Sequence, residues 1–159
     1  MNRKDFEIMA PVGSYESLHA AINASADAVY FGVEGLNMRA RSSVNFTLDD
    51  LRDIARICDE HGVKSYLTVN TIIYDEDMPK MRSVIDAVAG SGISAIIASD
   101  MAAILYARSR GVEVHISTQL SVSNTATLRY YAQYADVVVL ARELNLDQVA
   151  AIHRAIVDE

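Results

Sequence analysis

Six short apolar runs recur along the chain: Glu7 to Ala10, Ala28 to Gly32, Ser65 to Asn70, Ala95 to Ser99, Glu113 to Thr118 and Val137 to Ala141. Each is followed by a stretch with helical spacing of its apolar residues, and strands alternating with amphipathic helices predict parallel α/β architecture. The runs VYFG, AIIAS and VVVLA are apolar almost throughout, which suits strands buried on both faces rather than an antiparallel sheet wet on one side. The expected fold is therefore α/β, a parallel TIM-barrel-like (β/α) sheet with about six of the usual eight units, a truncated barrel forming one domain over residues 1–159. Closure is what removes barrel edges, so the open first and sixth strands offer a route to self-association.

Helix punctuation falls where such a repeat requires it. Thr47 followed by Asp50 reads as a capping-box-like start, Leu51, Ile54 and Cys58 form an inward stripe, and Gly62 ends that helix. Asp75 reads as the next N-cap, with Pro79 in the first turn, Met81, Ile85 and Val88 at helical spacing, and Gly92 past the end. Asn145 with Gln148 opens the last helix in the same manner.

Composition narrows the class. The chain has 159 residues, 51% of them hydrophobic, and carries 14 Lys plus Arg against 21 Asp plus Glu, a formal charge of −7. A sizeable core is affordable, whereas broad electrostatic attachment to nucleic acid or an anionic membrane is disfavoured. The opening MNRKDFEIMAPVG has no apolar region of signal-peptide length, and no window reaches a membrane span, so a cytoplasmic protein is expected. Cys58 is the only cysteine and sits in a helical core stripe. It allows neither an intramolecular disulfide nor a cysteine-ligated cluster built from this segment alone.

Familiar cofactor motifs are missing. No G-x-G-x-x-G follows the first strand, neither a P-loop nor H-E-x-x-H occurs, and His19, His61, His115 and His153 lack ligand-like spacing. No metal site is expected. What remains is a set of polar residues at the strand exits, the end where a barrel of this kind places its chemistry. They are Asn70 after YLTV, Ser99 and Asp100 after AIIA, His115 with Ser117, Thr118 and Gln119 along the fifth strand, and Arg142 with Glu143 after VVVLA. Arg39 and Arg41 add two cations in the loop after the second strand. Arginine grips carboxylate or phosphate bidentately and Asn or Gln present donor and acceptor together, so Arg39, Arg41, Asn70, Gln119, Asn124 and Arg142 are the candidate binders of an anionic, hydrogen-bonding ligand. His115, Asp100 and Glu143 are the candidates for proton transfer.

Each has a structural reading beside the chemical one. Asp100 and Asn124 fit helix caps, and Arg142 with Glu143 fits an ion pair on the rim. His115, alternating with apolar neighbours in EVHIST, fits a hydrogen-bonded core histidine. Ser117 and Thr118 lack the glycine pattern of a nucleophile elbow.

The ordered segments MAPVGSYESLHAAINASADAVYFG, NMRARSSVNFT, GVKSYLTVNTIIYDED, HISTQLSVSN and VVLAREL together resemble the N-terminal barrel of the collagenase-like peptidases, family thirty-two among those of unknown catalytic type. The resemblance runs from about Phe6 to Ile152. It implies an N-terminal portion of a longer protein active in tRNA or ribosomal RNA hydroxylation or in oxygen-independent ubiquinone hydroxylation. A protease and a non-catalytic binding or scaffold module are the alternatives. It also implies an iron–sulfur cluster held by cysteines outside this segment, no cofactor on the segment itself, and a small anionic substrate or RNA as partner of the complete protein. By the same resemblance Arg39, Arg41, Asn45 and Phe46, then Asn70, Gln119, Asn124, Arg142 and Glu143, are carried over as rim residues. One departure stands out: the family's usual A-G-A-D before the second strand is here Ala24, Ser25, Ala26, Asp27.

Overall fold

All six apolar runs become strands, and the strands pair in chain order, each pair parallel, in the computed structural model of the protein, which describes residues 6–33 and 46–157. The order is β1 (Met9–Pro11), α1 (Tyr15–Asn23), β2 (Ala28–Phe31), α2 (Leu51–Glu60), β3 (Lys64–Val69), α3 (Met78–Ala89), β4 (Ala95–Ala98), α4 (Met101–Ser109), β5 (Val114–Ile116), α5 (Thr125–Ala132), β6 (Val137–Val138) and α6 (Leu146–Val157). The result is a curled half-barrel of six consecutive βα units, as expected. Among the described residues β1 and β6 are each paired on one side only.

Two layers follow from the alternation of side chains along each strand. Val29, Phe31, Leu67, Val69, Ile96, Ala98, Val114 and Ile116 point outward into the main core, against Leu18 of α1, Ile54 and Cys58 of α2, Met81 and Ile85 of α3 and Ile104 of α4. Ala28, Tyr66, Ala95 and Ile97 point inward and form a second, smaller cluster with Tyr30. Both faces of the central strands are therefore buried, which is why their sequences read as continuous apolar runs.

The first strand starts later than its sequence pattern suggests, at Met9 rather than Glu7. The reason is a polar clamp just before it: the Ile8 N–H donates to the Asp27 carboxylate at 2.6 Å, while the Asp27 N–H donates to the Ile8 carbonyl at 2.9 Å. The sixth strand is also shorter than Val137 to Ala141, because Ala141 donates its N–H to Val122 in the preceding exit loop (2.8 Å) and leaves the ladder. Asp75 is not the N-cap of α3. It opens a short 3₁₀ turn, Asp75–Asp77, and the Asp77 carboxylate instead accepts the Tyr74 N–H at 3.1 Å. The Thr47–Asp50 and Asn145–Gln148 starts form as read, the second as a reciprocal pair of 2.9 Å bonds.

Three helices end in the same Schellman geometry. After α2 the Val63 N–H reaches Cys58 O and Gly62 N–H reaches Asp59 O; after α4 the pairs are Val112 to Ala107 and Gly111 to Arg108; after α1 they are Ala26 to Ala21 and Ser25 to Ile22. The residue before the last donor must be left-handed. Gly62 (φ 66°) and Gly111 (φ 70°) meet that requirement without strain, and Ser25 meets it at φ 63° with a Cβ. Ser25 stands where the resembled family has glycine, and the geometry supplies the reason. Ser25→Gly should therefore raise stability by about 0.5–1 kcal/mol in urea unfolding, whereas Gly111→Ala, whose added Cβ would meet open space, should lower it by about 1 kcal/mol through φ alone.

Candidate functional site

Because every strand is parallel, all strand exits and all helix N-termini gather at one end of the half-barrel. The cap residues there are fixed by the backbone they serve. Asp100 caps α4, its carboxylate accepting the Ala102 N–H at 2.8 Å and, with its other oxygen, the Ile73 N–H at 3.5 Å across the neighbouring exit loop. Asn124 caps α5 through the Thr127 N–H at 2.9 Å. Ser117 is buried and accepts the Gln119 N–H at 3.3 Å, starting a 3₁₀ turn, Thr118–Leu120, that ends in a left-handed Ser121. Val122 is buried behind it. This loop carries Gln119 outward on a rigid base.

Arg142 and Glu143 follow Ala141, whose N–H ties the sixth exit to Val122 of the fifth. Both side chains are exposed, and the rim ion pair between them is not formed. Gln119 and Arg142 thus stand on adjacent exits with side chains uncommitted to the protein. Asn70 is half-buried at the end of β3. Beside it the Thr71 Oγ1 is buried without a hydrogen-bond partner among the described residues, a feature that no sequence pattern signals and one that costs about 1–3 kcal/mol when left unpaired. Arg39, Arg41 and Asn45 lie outside the described residues. Phe46, which follows them, is buried between Tyr15 and Phe31, both rings edge-on at 5.4 Å. Tyr15 in turn donates to Asp50 at 2.8 Å. Burial, with the Asp50 carboxylate beside it, pushes the Tyr15 hydroxyl up to about 12, and the Thr47 N–H leads the bonds that hold Asp50 below the usual carboxylate range.

His115 is not on this rim. Its ring is buried in the barrel interior, edge-on to Tyr66 at 4.6 Å, with Nε2 2.8 Å from the Glu113 carboxylate, two residues back toward the start of β5. Tyr66 donates to Glu7 at 2.7 Å, and Lys64 donates to the other oxygen of Glu7 at 2.8 Å. These groups share the N-terminal end of the sheet, so the structure separates His115 from the exit-loop residues Asp100 and Glu143. The Glu113-x-His115 spacing puts both on one face of a strand, and that was the available signal. Burial pushes the Glu7 carboxyl up, but the bonds from Lys64 and Tyr66 outweigh it and hold the group below its ordinary value. Burial and Glu7 together raise Tyr66.

Cys58 does not fit a metal cluster. It is buried in the helix–sheet core, where burial pushes its thiol up to about 11, and the described residues contain no group of three or more His, Cys, Asp or Glu placed to hold a metal. Among the same residues no helix is long and apolar enough to cross a membrane.

The family model for peptidase family U32 matches residues 13–158. The chain belongs to this family. A protein named collagenase from Porphyromonas gingivalis is 70% identical over 157 residues, which is 99% of this chain and 38% of that protein. The 23S rRNA 5-hydroxycytidine C2501 synthase of Escherichia coli is 33% identical over 94% of this chain and 22% of its own length. The tRNA hydroxylation protein P1 of Bacillus subtilis is 33% identical over 87% of this chain and 33% of its own. The U32 chain thus spans well under half the length of these relatives. The solved U32 peptidase Mk0906 shares the fold, with a TM-score of 0.74 at 16% identity over 93% of this chain and 64% of that one.

Two variants separate cap from chemistry at Asp100. Asp100→Ala should lose about 1 kcal/mol of stability in denaturant unfolding, while Asp100→Asn, which still accepts the Ala102 N–H, should lose much less. Glu7 sets an acid limb: its folded carboxyl lies below the unfolded value, so its contribution is present above about pH 4.3 and lost as the pH falls through the folded value. Glu7→Gln should therefore show a shallower loss of stability than the parent chain when thermal melts are followed below about pH 4.5.

Proposed function

We propose that this U32 segment forms the substrate-side face of an enzyme that hydroxylates tRNA or ribosomal RNA or carries out a related oxygen-independent hydroxylation, incomplete by itself. The observation that carries the reading is the pairing of an exit rim, with Gln119 and Arg142 uncommitted on adjacent loops, with relatives named for rRNA and tRNA hydroxylation along most of the chain. A guanidinium and an amide side by side suit a carboxylate or phosphate ligand that also accepts and donates hydrogen bonds. The cluster that the family resemblance implies would be held by cysteines elsewhere in the complete protein. Nothing in this chain's chemistry is routed through it.

Proteolysis is the second reading, favoured by the 70% identity to the protein named collagenase. Against it stand the commitments of the candidate groups. The Ser117 hydroxyl serves a turn and the His115 ring serves Glu113, so the described residues offer no nucleophile held by a base.

The deciding experiment deletes the gene and measures hydroxylated nucleosides in tRNA and rRNA by mass spectrometry, with complementation by the complete protein. Loss of a hydroxylated nucleoside on deletion, restored by the parent gene and reduced about 10- to 100-fold in rate by Arg142→Ala, is the expected result for a charge-assisted contact of about 1.5–3 kcal/mol. Unchanged RNA, with gelatin cleaved by the purified complete protein, would replace this reading by the second.

A further inference from the structure

Two large apolar side chains on the exit rim serve neither a cap nor the core. Ile72 and Tyr74, in the loop that leaves β3, are 72% and 62% exposed. Ile73 between them packs against the main core, so its two neighbours are turned out to solvent. We propose that Tyr74, with Ile72 two residues before it, is a stacking platform for an unpaired base of single-stranded RNA, whose phosphates lie toward Arg142. The inference rests on the RNA reading above and names the part of the RNA that each end of the rim meets.

The loop is held at its backbone, without use of either exposed side chain. The Ile73 N–H donates to Asp100 at 3.5 Å, the Tyr74 N–H donates to the Asp77 carboxylate at 3.1 Å, and the Asp77 N–H returns to the Tyr74 carbonyl at 2.9 Å. Further bonds carry this support along the rim. The Ser117 N–H reaches the Ala98 carbonyl at 2.8 Å, joining the fourth and fifth exits, and the Ala141 N–H reaches Val122 at 2.8 Å, joining the fifth and sixth. Tyr74 and Arg142 thus stand on one connected scaffold. A tyrosine ring on a fixed backbone offers a large contact area at low cost in conformational entropy.

Geometry and charge select the ligand. The third and sixth exits lie three strand spacings apart, about 14 Å, so a ligand that meets both is extended. It must offer a flat apolar face at one end and an anion at the other. Single-stranded RNA carries both at every nucleotide, whereas a peptide does so only where its sequence supplies them. Asp75 and Glu76, exposed immediately after Tyr74, disfavour phosphate at the third exit, and the exposed Arg142 favours it at the sixth. The uncharged base therefore faces Tyr74. Unstacked bases are free to lie on an aromatic ring, and because every base has a π-face such a contact tolerates sequence.

The test measures binding of an end-labelled, unstructured RNA oligomer of about ten nucleotides to the complete protein by fluorescence anisotropy, beside the same oligomer with abasic riboses. Tyr74→Ala should weaken the intact oligomer about 5- to 100-fold, while Tyr74→Phe and Tyr74→Trp, which keep a ring, should stay within about threefold. The abasic oligomer should bind the parent and Tyr74→Ala alike, and Arg142→Ala should weaken both oligomers. A side chain this exposed can be replaced with little effect on folding. Tyr74→Ala that binds as the parent does, Tyr74→Phe that falls as far as Tyr74→Ala, or an equal loss with the abasic oligomer overturns the stacking role. In each of these cases the hydroxylation reading still stands or falls by the nucleoside analysis above. A parent protein that binds no RNA and leaves nucleosides unchanged on deletion overturns both, and slower gelatin cleavage by Tyr74→Ala would then give the loop to a peptide.

Discussion

Parallel pairing is the constraint on which the rest of this molecule depends. Two parallel neighbours cannot be joined by a tight turn, so each step needs a crossover, and here every crossover between successive strands of the described chain runs over the same outer face. Strand direction then sorts the molecule by end. Helix N-termini, with their unsatisfied N–H groups, collect where strands leave the sheet, and helix C-termini collect where strands enter it. Caps must therefore crowd one end. Asp100, Ser117, Asn124 and the Thr47–Asp50 pair are all there, each serving a backbone N–H.

The entry end has the complementary problem and a different solution. Carbonyls freed at the ends of α1, α2 and α4 are taken up by the Schellman turns, and charged side chains then tie neighbouring units together. Lys64 meets Glu7, Arg108 meets Asp136, and Arg110 meets Asp86 at 2.7 Å. These pairs are substantially exposed, so each adds little to stability by itself. Their consequence is geometric: charge at the entry end is matched locally, while Gln119, Arg142 and Glu143 at the exit end remain uncommitted. A chain with a formal net charge of −7 still presents, at the sixth exit, an arginine without an acidic partner among the described residues.

The fold was legible in the sequence because parallel strands buried on both faces and capped helices write regular patterns. Leu51, Ile54 and Cys58 are buried as their spacing indicates, and Asn145 and Gln148 exchange the bonds expected of them. What escaped depends on partners distant in the chain. β1 begins at Met9 because Asp27, nineteen residues from Ile8, binds the Ile8 N–H, and nothing within EIMA records that. His115 could be placed on a strand, but which face it takes and its orientation toward Glu113 and Tyr66 depend on how β3 and β5 meet across the interior. The αL requirement at Ser25 is invisible at serine and is exposed only by comparison with Gly62 and Gly111 in the same turn.

The same accounting of commitments bears on how one segment can lie within relatives of such different names. A collagenase-named protein and two proteins of RNA hydroxylation align with it along most of its length, and a fold of this kind fixes where chemistry happens without fixing which chemistry it is. The capping carboxylate of Asp100, the capping amide of Asn124 and the hydroxyl of Ser117 have backbone donors to satisfy, whatever reaction the complete protein performs. A change at any of them first disturbs a helix start or a turn. Side chains that hold nothing in place are free of that constraint. At the described rim these include Gln119, Arg142 and Glu143, on two loops pinned to each other by the bond from Ala141 to Val122. That bond ties the two loops together while leaving those side chains without a structural task, so a change at any of them disturbs no helix start or turn.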